Sequence, residues 1–159
     1  MSGLLTDEIR AMVGQEAVYT APEPLGRAAL RYYALAVGDD NPLYRDSAYA
    51  ASHGYRDVVA PPTLICETNQ YAGLARDDDG YAGHSWRIDV PGARLVRGGN
   101  DYTFHQPVHP DDVITATWRI ESVTEKAGKL FVVSRAVYTN QHDELLATNE
   151  ETLIYVGAI

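Results

Sequence analysis

An α+β fold is predicted, with helices first and an antiparallel sheet after them. Helix-like periodicity is confined to residues before about 75, and alternating, strand-like patterns fill the chain from about 94 onward. No βαβ alternation occurs, and neither the Rossmann nor the phosphate-loop glycine fingerprint is present. Segregated helices and strands of this kind read as one helix packed on a curved antiparallel sheet.

Arg27 to Val37 reads as the first helix, because Leu30, Tyr33, Ala34 and Val37 fall at i, i+3, i+4 and i+7. Pro22, Pro24 and Gly26 punctuate its start, and Gly38 ends it. Ser47 to Ser52 predicts a short second helix, capped by Asp46 or Ser47. Pro61-Pro62 opens a third helix from Thr63 to about Ala75, since proline is tolerated in a first helical turn. Leu64, Thr68, Tyr71 and Ala75 share one face, with Ile65 and Ala72 beside them, which makes it the most buried helix of the chain. Cys66 lies on that helix as a small buried hydrophobe. Glu67 has no evident role there unless an arginine from the next loop or from a partner chain pairs with it. Arg76 to Ala93 is rich in Asp, Gly and Pro, shows no periodicity, and reads as a long loop of the kind that is often functional.

The remainder is β. Arg94 to His105 reads as a long strand interrupted at Gly98-Gly99. Ile114, Ala116, Trp118 and Ile120 alternate with Val113, Thr115, Thr117 and Arg119 in a half-buried strand. Leu130 to Thr139 follows after the turn Glu125-Lys126-Ala127-Gly128, and Leu145 to Val156 after the turn Asn140-Gln141-His142-Asp143.

The chain has 159 residues, which fits one domain spanning 1–159 and a core that needs no staples. Its hydrophobic content of 45% and charged content of 22% are those of a soluble globular protein. A formal net charge of −9 without any Lys/Arg cluster argues against a nucleic-acid partner. Cys66 is the single cysteine, so no intrachain disulfide forms, which fits a reducing compartment. Met1 to Glu8 lacks the pattern of a signal peptide, and no apolar run approaches the ~20 residues of a membrane helix, so a cytoplasmic location is expected. Eleven Tyr against two Phe points to surfaces apolar on one side and polar on the other, such as a pocket wall or a subunit interface.

The most informative stretch is Val37-Gly38-Asp39-Asp40-Asn41-Pro42-Leu43-Tyr44. Its Gly, Asp, Asn and Pro mark a turn, and a buried acid in such a turn is placed to hold a water molecule. Asp39 also suits a plain turn-capping role, and Tyr44 a packing or interface role. His105 and His109 are four apart but are interrupted by Pro107 and Pro110 and have no third ligand, so no metal site is predicted. His53 and His84 read as solvated, and Asp77-Asp78-Asp79 as a solvated acidic loop without calcium-loop spacing.

The layout and the turn resemble the MaoC-like (R)-specific enoyl-CoA hydratases and 3-hydroxyacyl dehydratases. Their motif runs from an aromatic residue through small residues to Gly-Asp-x-Asn-Pro-Leu-His, and here Tyr33 to Tyr44 follows it. Gly98-Gly99-Asn100-Asp101-Tyr102-Thr103-Phe104-His105-Gln106-Pro107-Val108-His109-Pro110-Asp111-Asp112 and Val137-Tyr138-Thr139-Asn140-Gln141 are similar to the FAS1-like, N-terminal subgroup. The resemblance implies a hot-dog fold, a long central helix wrapped by a curved antiparallel sheet. It implies a substrate that is a thioester of CoA or acyl carrier protein, and no cofactor.

In that family the motif's Asp and His hold a water and move the protons of a syn addition across a conjugated C=C bond, acid–base work worth about 10²–10⁴-fold. Asp39 matches the acid and Asn41 the residue that supports it, but Tyr44 stands where the His belongs. Tyrosine, with a reference pKa of about 10 against about 6.5 for histidine, donates a hydrogen bond but rarely accepts a proton near neutrality. The family's long helix opens with His-Gly, whose Gly N–H polarises the thioester carbonyl. Here Pro62 aligns with that Gly and has no N–H, which leaves Thr63 as the nearest donor. Losing one such donor costs about 10²–10³ in rate in another enzyme class.

The resemblance therefore implies a degenerate half of a hot-dog pair, with a second MaoC-like subunit, or another copy of the chain, completing the dimer. It assigns Asp39, Asn41 and Tyr44 to the reacting end and Pro62, Thr63, Gly99 and Asn100 to the substrate path. A CoA phosphate site would need exposed Arg or Lys at the pocket mouth, for which Arg87, Arg94 and Arg97 are candidates by position only. Two other readings remain open: a homodimer with altered chemistry at Asp39, such as Michael-type cyclisation or thioester hydrolysis, and a non-catalytic acyl-thioester binder.

Overall fold

The computed structural model describes residues 3–68 and 88–157. In order it contains α1 (Asp7–Arg10), β1 (Glu16–Thr20), α2 (Gly26–Val37), a 3-10 turn (Pro42–Tyr44), α3 (Ser47–Ser52), α4 (Leu64–Thr68), β2 (Arg94–Phe104), β3 (Thr115–Lys126), β4 (Lys129–Thr139) and β5 (Leu145–Val156). The strands form one five-stranded sheet in the order β1-β3-β4-β5-β2, antiparallel at every pairing. The predicted α+β class and its meander β3-β4-β5 are present.

The strand alternation lands where the pattern puts it. Ile114, Ala116, Trp118 and Ile120 are all at most 1% exposed. Ala116, Trp118 and Ile120 stand opposite Tyr138, Ala136 and Ser134 of β4, and Trp118 meets Tyr138 edge-on with ring centroids 6.5 Å apart. The β3–β4 hairpin closes on Ala127 and Gly128 alone, at φ 51° and 69°. This is the two-residue turn whose backbone matches the strand twist. The strands accordingly run on to Lys126 and resume at Lys129, so β3 is longer than the predicted Val113–Ile120.

The expected interruption of the long strand is a bulge between Arg97 and Gly99 in the pairing of β2 with β5. A Cβ on Gly98 would lie 2.9 Å from Ile154 Cδ1 and 3.0 Å from the Thr152 carbonyl, so only glycine fits this close approach. β2 forms one edge of the sheet and is exposed along its length except at half-buried Tyr102. The other edge, β1, is only five residues long. Neither β1 nor α1 was predicted: both are too short for a periodicity to show. β1 is set by pairing with β3, and α1 by Thr6, whose Oγ1 accepts from the Ile9 N–H at 3.3 Å.

The helices differ from the prediction in detail. α2 buries Leu30 and Ala34 and half-buries Tyr33, but Val37 is 56% exposed. The last turn of α2 stands clear of the core, because the chain reverses at Gly38 and it is the 3-10 turn that packs back, on Ala34. Asp46, not Ser47, caps α3, accepting from the N–H groups of Ala48 and Tyr49 at 2.9 and 3.0 Å. Leu64, Ile65 and Cys66 of α4 are buried in the main core, as expected. The rest of the predicted third helix, most of the long loop with His84, Asp77–Asp79 and Arg87, and the side chain of Glu67 lie outside the described residues.

A buried polar lock ties the turn region to the sheet. Asp112, 2% exposed, accepts from the His109 N–H at 2.7 Å and from Asn140 Nδ2 at 3.2 Å, with Arg56 Nη2 at 3.7 Å. His109 Nδ1 bonds the Val58 carbonyl at 3.0 Å. Asp112→Ala strands the His109 N–H in the interior, while Asn140 Nδ2 keeps Glu144 and Arg56 keeps Asp111, and should lower stability by about 2 kcal/mol, read as a drop in the urea midpoint.

Candidate active site

Gly38 closes α2 in the left-handed conformation, φ 73°, and the Asp39 N–H returns to the Ala34 carbonyl at 2.9 Å. Asp39 Oδ1 then accepts from the Asn41 N–H at 3.1 Å, and Asn41 Oδ1 from the Leu43 N–H at 3.1 Å. These are two successive Asx turns, and Pro42, with its preset φ, starts the 3-10 turn. The result brings the tip of Tyr44 to Asp39.

Tyr44 is 8% exposed and packs with Ala34 and Val59. Its hydroxyl lies near the side chains of Asp39 and Asn41. Burial, and then the charge and hydrogen bond of the Asp39 carboxylate, push the Tyr44 phenol above its ordinary pKa, with Asn41 opposing. Tyr44 therefore stays protonated beside Asp39, and it does not serve as a base near neutrality. Asp39 itself is exposed in this chain, not buried as its turn suggested, because the turn lies on the surface.

The raised phenols have a consequence for stability. Tyr44, Tyr138 and Tyr155 are all raised from 10.0, chiefly by burial. Each favours the fold fully below the unfolded value, and that contribution is lost as pH rises through the folded value. The melting temperature should fall as pH climbs above about 10, and Tyr44→Phe should make the fall shallower.

Two clefts flank the pair. One, of about 190 Å³, is lined by Arg31, Ala34, Leu35, Asp39, Asn41 and Arg45. The other, of about 340 Å³, is lined among others by Tyr44, Tyr55, Pro62, Phe104 and His105. Tyr44 and Pro62, the two departures from the hydratase pattern, thus share one cleft. Thr63 is held beside it through its Oγ1, 2.8 Å from the Tyr33 hydroxyl. Gly99 and Asn100 line neither cleft. They sit on β2, where Asn100 Oδ1 accepts from Asn149 Nδ2 at 2.9 Å. Of the arginines expected near phosphates, Arg97 lies 3.7 Å from Glu151 and Arg94 is exposed on the β2 edge.

Arg31 and Arg45 were missed, and a signal existed for Arg31: it precedes Leu35 by four residues on α2, so both share the face that reaches Asp39. His105 was weighed only as a metal ligand, and no spacing announces its place in the Tyr44 cleft. The pairing of its N–H with the Leu146 carbonyl, at 2.8 Å, puts it there. Among the described residues, no group of three or more His, Cys, Asp or Glu side chains is gathered to hold a metal ion, and no helix is long and apolar enough to cross a membrane.

An open antiparallel sheet with the Gly38–Tyr44 turn set beside it defines a hot-dog protein of the MaoC-like dehydratase and hydratase class. Within that class the chain belongs to the FAS1-like dehydratase domain family, whose model matches residues 11–149. A UPF0336 protein of Streptomyces avermitilis is 35% identical over 136 residues, 85% of this chain and 84% of that one. Among solved structures, the C-terminally truncated HadBC (3R-hydroxyacyl-ACP dehydratase) complex of Mycobacterium tuberculosis superposes with a TM-score of 0.68 at 29% identity, covering 90% of this chain and 96% of that chain. The ChsH1–ChsH2 complex of the same organism matches with a TM-score of 0.71 at 21% identity, over 94% and 92% of the two chains, a likeness of fold.

Proposed function

We propose that this chain is the substrate-tunnel half of a two-subunit hydro-lyase. The enzyme hydrates enoyl thioesters, or dehydrates 3-hydroxyacyl thioesters, of CoA or acyl carrier protein. The observation that carries this reading is the Asp39–Tyr44 pair: the position of the family's histidine is filled by a buried phenol whose pKa is raised by burial and by the nearby acid. The donor position in the same cleft is filled by Pro62. A partner with an intact Asp-x-Asn-Pro-Leu-His supplies the base, the acid and the N–H that polarises the carbonyl. Water adds its oxygen to the β-carbon and a proton goes to the α-carbon, with no cofactor required. This chain supplies the fold, one wall of the site and the acyl path.

Two further observations support a pair. The HadBC and ChsH1–ChsH2 structures are complexes. The β2 edge is eleven residues long and carries exposed Leu95, Val96 and Phe104, which suits pairing with another sheet.

Co-purification with the product of an adjacent gene, followed by hydration of a crotonyl thioester, tests the reading. A stable complex is expected whose rate changes less than about threefold when Asp39→Asn is introduced in this chain. The second reading, a homodimer with altered chemistry, is favoured by one observation: Asp39 is exposed and opens on the cleft of Arg31 and Arg45. A homodimer whose turnover vanishes in Asp39→Asn would establish it in place of the first.

A further inference from the structure

The inner face of the sheet carries a row of polar side chains where a core needs none. Ser134 of β4 is the direct partner of Glu151 on β5, and Glu151 is the partner of Asn100 on β2. Asn149 lies one step along, between Ala136 and Tyr102. Ser134 is 1% exposed, and Glu151 and Asn149 are each 2% exposed. Tyr138, fully buried, turns its phenol toward the Cys66 thiol of α4, so the row faces that helix. The row runs from the buried centre of the sheet outward to Asn100 on the exposed edge.

Some of these groups lack the partners their burial calls for. Asn149 gives its Nδ2 to Asn100 at 2.9 Å, but its Oδ1 has no hydrogen-bond partner. Ser134 Oγ has none, and the Tyr138 hydroxyl has none beyond the thiol, a weak group for this purpose. Buried polar atoms are normally satisfied, so several orphans on one face call for a ligand group or an enclosed water.

We infer that this row is a subsite for a hydroxyl group on the acyl chain, beyond the reacting carbons, so that the preferred thioester is an oxygenated chain rather than a plain hydrocarbon. The inference rests on the thioester reading above. The pattern of orphans selects the group. Asn149 Oδ1 only accepts, whereas Ser134 and Tyr138 each have an O–H to donate. A hydroxyl satisfies both kinds at once, and a ketone leaves Asn149 unpaired. A carboxylate would be repelled by Glu151, which stands in the same row. A plain chain would bury the orphans without any compensation.

The test uses the chain in the assembly in which it purifies. A straight-chain acyl-CoA and its isomers bearing one hydroxyl at successive carbons beyond the reacting pair are titrated calorimetrically. At least one isomer should bind about tenfold tighter than the parent, and Asn149→Leu or Ser134→Ala should erase that preference. A parent that binds while no isomer binds tighter overturns the subsite and leaves the thioester reading standing. Failure of every acyl-CoA, and of the same acyl chains on acyl carrier protein, to bind overturns both. Melting supplies an independent check: Ser134→Ala should melt at or above the wild-type temperature, because an unpaired hydroxyl is removed. A fall of several degrees would mean that the hydroxyl is already bonded inside the protein, by a buried water for instance, and would overturn the subsite.

Discussion

Purified without a partner, the chain should hydrate a crotonyl thioester at least about 10³-fold more slowly than the two-subunit complex, followed by loss of the enoyl absorbance. Two independent absences set this figure. Removing the general base costs about 10²–10⁴, and Tyr44 cannot replace it, since burial and the neighbouring carboxylate hold its proton. Removing an oxyanion donor costs about 10²–10³, and Pro62 cannot donate. The two effects need not multiply, because groups acting on one transition state are not additive. A lone chain with the full rate of the complex would refute the half-site reading.

The second expectation is a gain. Tyr44→His combined with Pro62→Gly should raise the lone chain's hydration rate by about 10²-fold over wild type, with each single change well below the double. The ingredients are already in place: Asp39 and Asn41 form their Asx turns, and the Tyr44 side chain already ends at the carboxylate. A histidine is smaller than the tyrosine it replaces, and Pro62 is exposed, so neither change crowds the core. An imidazole beside Asp39 would be oriented by the carboxylate and could accept the proton that the phenol keeps. No gain in the double variant would show that the turn, although built like that of a hydratase, no longer aims its side chains at a bound thioester.

Much of the fold was legible because its signals are local. The alternation of Ile114, Ala116, Trp118 and Ile120, the Ala127-Gly128 turn, the helix end at Gly38 and the bulge at Gly98-Gly99 all rest on side-chain periodicity or on backbone conformations that few residues adopt. β1 was not legible, because its five residues become a strand only by pairing with β3, about a hundred positions away. The exposure of Val37 was misread for a related reason: periodicity gives a helix face but not where the core beneath it ends. At the site, the order Gly38-Asp39-Asp40-Asn41-Pro42 announced the turn, and the identity of Tyr44 announced the departure. The orientation of the phenol onto Asp39, the exposure of that acid, and the gathering of His105 with Pro62 and Tyr44 come from tertiary packing. No spacing in the chain encodes them.

If the chain is one half of a pair, the β2 edge bears on how a cell keeps it in balance. Among the described residues, β2 is an edge strand eleven residues long, and Leu95, Val96 and Phe104 add apolar surface to it. On the two-subunit reading, a copy made in excess of its counterpart would keep that strand open and be a template for unwanted pairing. Supply of the two subunits is then best matched at synthesis, as with genes translated from one message. The surface that a matched copy would cover is also what would expose surplus chain to chaperones and proteases.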